Sequence, residues 1–306
     1  MSENYTIITK QRKIFEIKNI RWKMLYLQKI IFEYKETKEK FHKEIFRVIR
    51  RMKEKIIGIM GAMPEEINGI IELLTEKKEV KLGKRNYFVG KLNGIKTVVV
   101  FSRWGKVAAT TTVATLILEF KVSEIIFTGV AGAINSELNV GDIVIGKRLI
   151  QHDLNAQPLI DEFEIPLLKL KFIETQAKQL EIATNAVQKL IENNNLFTVI
   201  TPTELQRFNI VQPKFVIGDI ASGDKFFASS KDKNELLKKL PTILCVEMEG
   251  AAVAQVCYEY EIPFTVLRTI SDAADEKSHI DFAAFIEQVS NKYSVEIIKN
   301  IFSHMA

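Results

Sequence analysis

Four places along the chain put acids, glycines or an arginine where a strand should end: Gly61–Glu66, Gly129–Gly132, Val246–Glu249 and Arg268–Asp275. The stretch Val246-Glu247-Met248-Glu249-Gly250-Ala251-Ala252 is the most informative. The short apolar run before it, Thr242–Val246, reads as a buried strand. Ala251, Ala252, Val253, Val256, Cys257 and Tyr260 then recur at helical spacing. Two acids two apart share a face if the strand persists that far, at the end where open α/β sheets bind ligands. Acids also simply favour a helix N-terminus, and for this stretch alone that is the stronger reading. The same choice applies to Glu65 and Glu66, which follow Pro64 in the first turn of a helix.

Taken together, the four places favour chemistry. They hold several separated carboxylates and one arginine. Gly129-Val130-Ala131-Gly132-Ala133 lacks the spacing of a P-loop or a dinucleotide fingerprint. The four histidines (His42, His152, His279, His304) show no metal spacing, so neither metal nor cofactor is expected. Separated carboxylates suit hydrolysis of a glycosidic bond. One protonates the leaving group, one activates water, and others hold the sugar. Phe226 and Phe227, beside Ser222-Gly223-Asp224, read as core or as a ligand platform.

The elements that must position these groups alternate. Strands are expected at 55–63, 79–101 (an antiparallel meander turning at Asn93-Gly94), 123–128, 140–150, 196–201, 215–221, 242–246 and 263–270. Helices are expected from Pro64, over 107–120, 174–192, from Glu249, and over 281–302. Gly129–Ala133 reads as a tight turn, and 151–172 as a long irregular segment with Pro158 and Pro166. The pattern predicts a single α/β domain with a mixed sheet.

Composition narrows the classes. Residues 1–54 hold 15 Lys and Arg against 7 Asp and Glu, a net of +8 within the formal +5, so the other 252 residues carry −3. The leader, with a helix-like pattern from Asn19 to Lys53, is a basic helical extension. It is either an appendage or upstream of the true start near Met52, or else binds nucleic acid or anionic lipid. Residues 55–306 are the expected catalytic domain. Two cysteines, Cys245 and Cys257, make no disulfide framework and suit a reducing cytoplasm. No apolar run reaches membrane-spanning length, and the charged leader has no signal-peptide pattern.

Five motifs occur in order: Gly-Ala-Met-x-Glu-Glu (61–66), Thr-Gly-x-Ala-Gly (128–132), Ser-Gly-Asp-x-Phe (222–226), Val-Glu-Met-Glu-Gly-Ala (246–251) and Arg-x-Ile-Ser-Asp-x-Ala-Asp (268–275). Over about residues 55–303 the chain resembles the 5′-methylthioadenosine/S-adenosylhomocysteine nucleosidases of the purine nucleoside phosphorylase-like family. The resemblance implies a twisted mixed β-sheet flanked by helices, a homodimer, and release of adenine from adenine nucleosides. It implies that Glu66 activates water with Arg268 nearby, and that Asp272 protonates adenine N7. Glu249 would bind the ribose hydroxyls, supported by Glu247, with Met248 beneath the sugar. Phe226 and Phe227 would hold the purine. Met63, Trp104 and Phe282 would flank the 5′-thio tail, and Leu154–Leu159 of a neighbouring subunit would close that pocket. A first-turn position would help keep Glu66 ionised, and ionised acids beside the ribose would stabilise an oxocarbenium ion. Phosphorylases of the superfamily carry an arginine and a hydroxyl residue where this chain has Phe127 and Val130, which favours water as the nucleophile. Val130 also departs from relatives that have serine at this point, a change that would alter water or ribose contacts. Alternatives are an aminofutalosine hydrolase, a phosphate-dependent phosphorylase, or nucleic-acid or membrane binding through the leader.

Overall fold

The computed structural model describes residues 55–192, 196–275 and 282–305. The expected leader helix lies outside them. Ten strands form one mixed sheet: β1 (Ile56–Gly61), β2 (Thr75–Leu82), β3 (Arg85–Leu92), β4 (Ile95–Phe101), β5 (Glu124–Ala133), β6 (Ile143–Gln151), β7 (Phe172–Glu174), β8 (Phe215–Ser222), β9 (Ile243–Glu247) and β10 (Phe264–Asp272). Strands β5, β10, β6, β8 and β9 pair in a closed circuit. From β5 the sheet continues through β1, β4, β3 and β2.

Period-2 patterning explains the two layers. In β1, β4 and β5 the side chains of Met60, Val98, Val100, Ile125 and Phe127 enter one core. Their sequence neighbours Ile57, Ile59, Val99 and Ile126 enter the other. The helices Lys106–Leu118 and Gly250–Glu259 cover the first layer.

 The second of these two buries Ala251, Val253, Ala254 and Cys257 in that core. The opposite layer is covered by the helices Pro64–Glu72, Ala177–Ile191 and Asn291–Met305, which bury Ile67, Ile70, Ala183, Val187, Ile297 and Ile301.

Several expectations hold, and others are corrected. The Asn93-Gly94 turn joins β3 to β4 with both residues at positive φ (48° and 80°), the geometry a two-residue hairpin favours. The glycine stretch 129–133 is no turn but the second half of β5. Residues 196–201 are not a strand. Leu196–Val199 is one helical turn that buries Leu196 and Ile200, four apart, before Thr201 caps the helix Pro202–Arg207. A helix at Ser230–Lys239 was not anticipated; Leu236 is its one fully buried side chain, so it carries almost no apolar period. The last helix is interrupted by a π turn at Ile286–Ser290, between Phe282–Phe285 and Asn291–Met305.

Phe302 is completely buried in the layer beneath β1, β4 and β5. Phe302→Ala should cost about 3–5 kcal/mol of unfolding free energy, measured by urea denaturation. A loss under about 1 kcal/mol would mean the final helix does not belong to the cooperative core.

Candidate active site

The ends of β1, β5, β9 and β10 meet because β5 pairs with all three others. β10 follows one edge of β5 throughout. On the other edge β1 pairs as far as Phe127, and β9 takes over at Gly132. The interval between them leaves the Val130 amide free for a side chain, and Glu66 fills it.

Glu66 is the third residue of the helix that Pro64 begins, and its side chain folds back over the helix start. Oε2 accepts the amides of Ala62 (2.6 Å) and Met63 (3.0 Å), while Oε1 accepts that of Val130 (3.2 Å). A Cβ on Gly129 would lie 2.6 Å from Oε1, so glycine in this strand makes room for the carboxylate. Burial pushes the Glu66 carboxyl above its ordinary range, against the lowering effects of Arg268 and the three amides. The expected ionising effect of the first turn is thus outweighed by loss of water.

Asp272, the last residue of β10, is held in the same manner. Oδ2 accepts the Ser271 hydroxyl (2.7 Å) and Oδ1 the Ala274 amide (2.8 Å). A Cβ on Gly132 would stand 2.9 Å from Oδ1. The two glycines thus serve two different carboxylates on one strand.

Glu247 and Glu249 do not share a strand face. β9 ends at Glu247, and Glu249 is the N-cap of the following helix. Glu247 accepts the Ser222 hydroxyl and the amides of Glu249 (3.2 Å) and Gly250 (2.8 Å), and it pairs with Arg268 at 2.6 Å. Glu249 Oε1 accepts the Gly105 amide at 2.7 Å. Burial, then the neighbouring Glu247 carboxylate, pushes Glu249 up to about 8. The surroundings of Glu249 thus favour its protonated form, where ionised acids were expected.

These groups line a cavity enclosing about 730 Å³, its open mouth included. Met63, Glu66, Trp104, Val130, Phe226, Phe227, Glu247, Met248, Glu249, Asp272 and Phe282 all contribute to its wall. Arg268 does not. It lies inside β10 rather than at its end, buried against the Phe127 ring (4.1 Å) and donating to the carbonyls of Phe127 and Leu267. Its hydrogen bond to the cavity wall goes to Glu247, while its charge also acts on Glu66 and Glu249. The sequence reading did not single out Gly105, Ser222 as a ligand of Glu247, or Ser271 as a donor to Asp272. Only the Ser-Asp and Ser-Gly-Asp pairs hinted at the last two. Among the described residues no group of three or more His, Cys, Asp and Glu is placed to hold a metal.

Comparison with known proteins gives this geometry a family. Residues 56–301 match the model of the Phosphorylase superfamily. A 5′-methylthioadenosine/S-adenosylhomocysteine nucleosidase of Staphylococcus aureus is 34% identical over 79% of this chain and 98% of its own length. The chain belongs to the 5′-methylthioadenosine/S-adenosylhomocysteine nucleosidases of the phosphorylase superfamily. A solved nucleosidase of this type from Colwellia psychrerythraea, in complex with adenine, superposes with a TM-score of 0.71 at 29% identity, covering 82% of this chain and 96% of its own. A futalosine hydrolase of Helicobacter pylori superposes at 0.69 with 33% identity, covering 82% and 98%. The central mixed sheet flanked by helices is the architecture of this nucleosidase family.

The Glu249 carboxyl has a folded-state value near 8 against 4.5 for the free group. Between those values the folded protein keeps a proton that the unfolded chain has lost, so stability falls as pH rises from about 4.5 to about 8. Glu249→Gln should flatten this decline in ligand-free protein, read as the change in unfolding free energy across that window. An unchanged slope would mean Glu249 ionises normally in the folded state.

Proposed function

We propose that the cavity binds 5′-methylthioadenosine and S-adenosylhomocysteine and hydrolyses the N-ribosidic bond, releasing adenine and a 5-thioribose product. The observation that carries this reading is the pair of buried carboxylates, Glu66 and Asp272, set against glycines 129 and 132 of one strand. Asp272 gives a proton to adenine N7, so that the N9 bonding electrons leave with a neutral base. Glu66 takes a proton from the water that attacks C1′. A carboxyl raised by burial is a stronger base than a free one, which suits Glu66 to that role. Glu249 binds the ribose hydroxyls, and Glu247 with Arg268 supplies fixed charge beneath them. Met248 packs under the sugar, Phe226 and Phe227 hold the purine, and Met63, Trp104 and Phe282 flank the 5′-thio tail.

Water rather than phosphate is the nucleophile on this reading. Among the described residues lining the cavity the one cation is Lys225, and it pairs with Asp232 at 2.8 Å. Arg268 is committed to Glu247, and positions 127 and 130 are apolar.

The protein works as a homodimer in this account. Trp104 is 63% exposed and Phe226 46% exposed at the cavity mouth, more than rings that grip a ligand should be. Leu159 is 88% exposed, whereas Leu154 packs onto this chain's own core. Of the two leucines that bound the segment, Leu159 is therefore the one available to a neighbouring subunit's mouth. We place the protein in the cytoplasm; no helix among the described residues is long and apolar enough to cross a membrane. Residues 55–306 are taken as the catalytic unit, which adenine release by that fragment alone would test. The similarity to a futalosine hydrolase supports a second substrate, aminofutalosine, which shares the adenosine end.

Adenine release from 5′-methylthioadenosine by the full chain is the test, with S-adenosylhomocysteine and aminofutalosine run beside it. Asp272→Asn should fold and lose about 10²–10⁴ of kcat, because the amide has no carboxyl proton to give. Glu66→Gln should lose a similar factor while still binding adenine. Near-parental turnover in either variant would remove that residue from the mechanism.

A further inference from the structure

The Ser-Gly-Asp motif contributes Phe226 and Phe227 to the site, but its aspartate, Asp224, has no part in the chemistry above. Its contacts give it one. Asp224 Oδ1 accepts the amide of Lys106 at 2.7 Å, and the Asp224 amide donates to Asp153 Oδ2 at 2.9 Å. The other oxygen of Asp153 takes the Lys106 ammonium at 2.5 Å, and that ammonium also reaches Gln151 Oε1 at 3.3 Å. A closed ring of hydrogen bonds thus joins three segments far apart in sequence. They are the turn before the helix at Lys106, the end of β6 with the residues after it, and the loop after β8.

Two of the segments carry walls of the cavity, and the third backs one of them. The residue before Lys106 is Gly105, whose amide grips Glu249, and before it stands Trp104. The loop after Asp224 carries Phe226 and Phe227. His152, next to Asp153, packs edge-on against the Phe227 ring at 5.2 Å, and its amide donates to the Ser222 carbonyl at 3.0 Å. The ring tolerates little substitution: a Cβ on Gly105 would lie 3.0 Å from Asp224 Oδ1, and one on Gly223 would lie 2.3 Å from the His152 ring.

We propose that Lys106, Asp153 and Asp224 are positioning residues that clasp the Trp104–Gly105 wall to the Phe226–Phe227 wall, fixing at once how Glu249 meets the ribose and how the aromatic rings meet the base. The clasp acts through those groups and touches no reacting atom. It rests on the nucleosidase reading for its kinetic consequence, but not for its structural one.

Two measurements test it. In kinetics with 5′-methylthioadenosine, Lys106→Met and Asp153→Ala should each raise KM about tenfold or more, with a smaller change in kcat, as expected for loss of a charge-assisted bond. The double variant should be little worse than either alone, because both break one ring. Lys106→Arg should recover most of the affinity. Asp224→Asn should do so too, since its amide oxygen still accepts the Lys106 amide, whereas Asp224→Ala should not. In hydrogen exchange without ligand, Asp153→Ala should speed exchange at Gly105, Lys106 and Asp224 together while the amides of β1 and β5 keep their protection. Parental KM in both Lys106→Met and Asp153→Ala, or exchange at 105–106 unmoved by Asp153→Ala, would overturn the clasp. Faster exchange across the whole domain would overturn it as well, by making these residues general stabilisers. A parental chain that released no adenine would sink the nucleosidase reading, and the exchange result would still decide the clasp.

Discussion

The buried pair between Glu247 and Arg268 is the constraint on which the site depends. Both side chains are almost wholly withdrawn from solvent (3% and 2% exposed), so each has lost the hydration that would stabilise its charge. Such a pair persists only where the remaining donors and acceptors are satisfied, and here they are. Arg268 is completed by two carbonyls and the face of Phe127. Glu247 is completed by Ser222 and by two amides at the start of the next helix. One polar knot therefore ties together the ends of β8 and β9, the middle of β10 and, through Phe127, the strand β5. Removing one member of a pair of this kind costs about 3–5 kcal/mol, because the other charge is left stranded. The knot also has an electrostatic effect beyond its own contacts. The Glu247 carboxylate is the second cause, after burial, of the raised Glu249 carboxyl.

Around this knot the closed circuit of strands does the positioning. β5 carries no acid of the site, yet Glu66 and Asp272 are both pressed against its backbone. They reach it from opposite directions, one from the helix after β1 and the other from the end of β10. Glycines 129 and 132 allow that approach, and the Val130 amide holds one of the two carboxylates. A bulkier strand would have pushed the carboxylates out toward water, where a glutamate would titrate as an ordinary surface group. The geometry thus links a backbone feature, the missing Cβ, to a chemical one, the raised Glu66 carboxyl.

Much of this was legible in the sequence, for identifiable reasons. Asn93-Gly94 signals its turn because few other residue pairs take two positive φ values. Pro64 followed by two glutamates marks a helix start, since proline loses nothing there. The stretch at 246–252 shows its strand-to-helix change through the shift in apolar period. The rest was hidden because its cause lies elsewhere in the chain. Gly129–Ala133 looks like a turn until Glu66 and Asp272 are seen against it. Arg268 at the carboxyl half of a strand reads as a pocket residue, and only the position of Glu247 shows that it points into the body of the protein. The segment 196–201 is apolar and short, a length at which strand and helix cannot be told apart by period. The helix at Ser230–Lys239 buries one leucine fully and so leaves little periodic trace.

The central claim is that water, activated beside Glu66, attacks C1′ of an adenine nucleoside while phosphate does not. The most direct measurement is the turnover of 5′-methylthioadenosine in ¹⁸O-labelled water containing phosphate, with the sugar product analysed by mass spectrometry. The account predicts free 5-methylthioribose carrying one ¹⁸O, at a rate independent of phosphate. Formation of the sugar 1-phosphate, or turnover that requires phosphate, would contradict it.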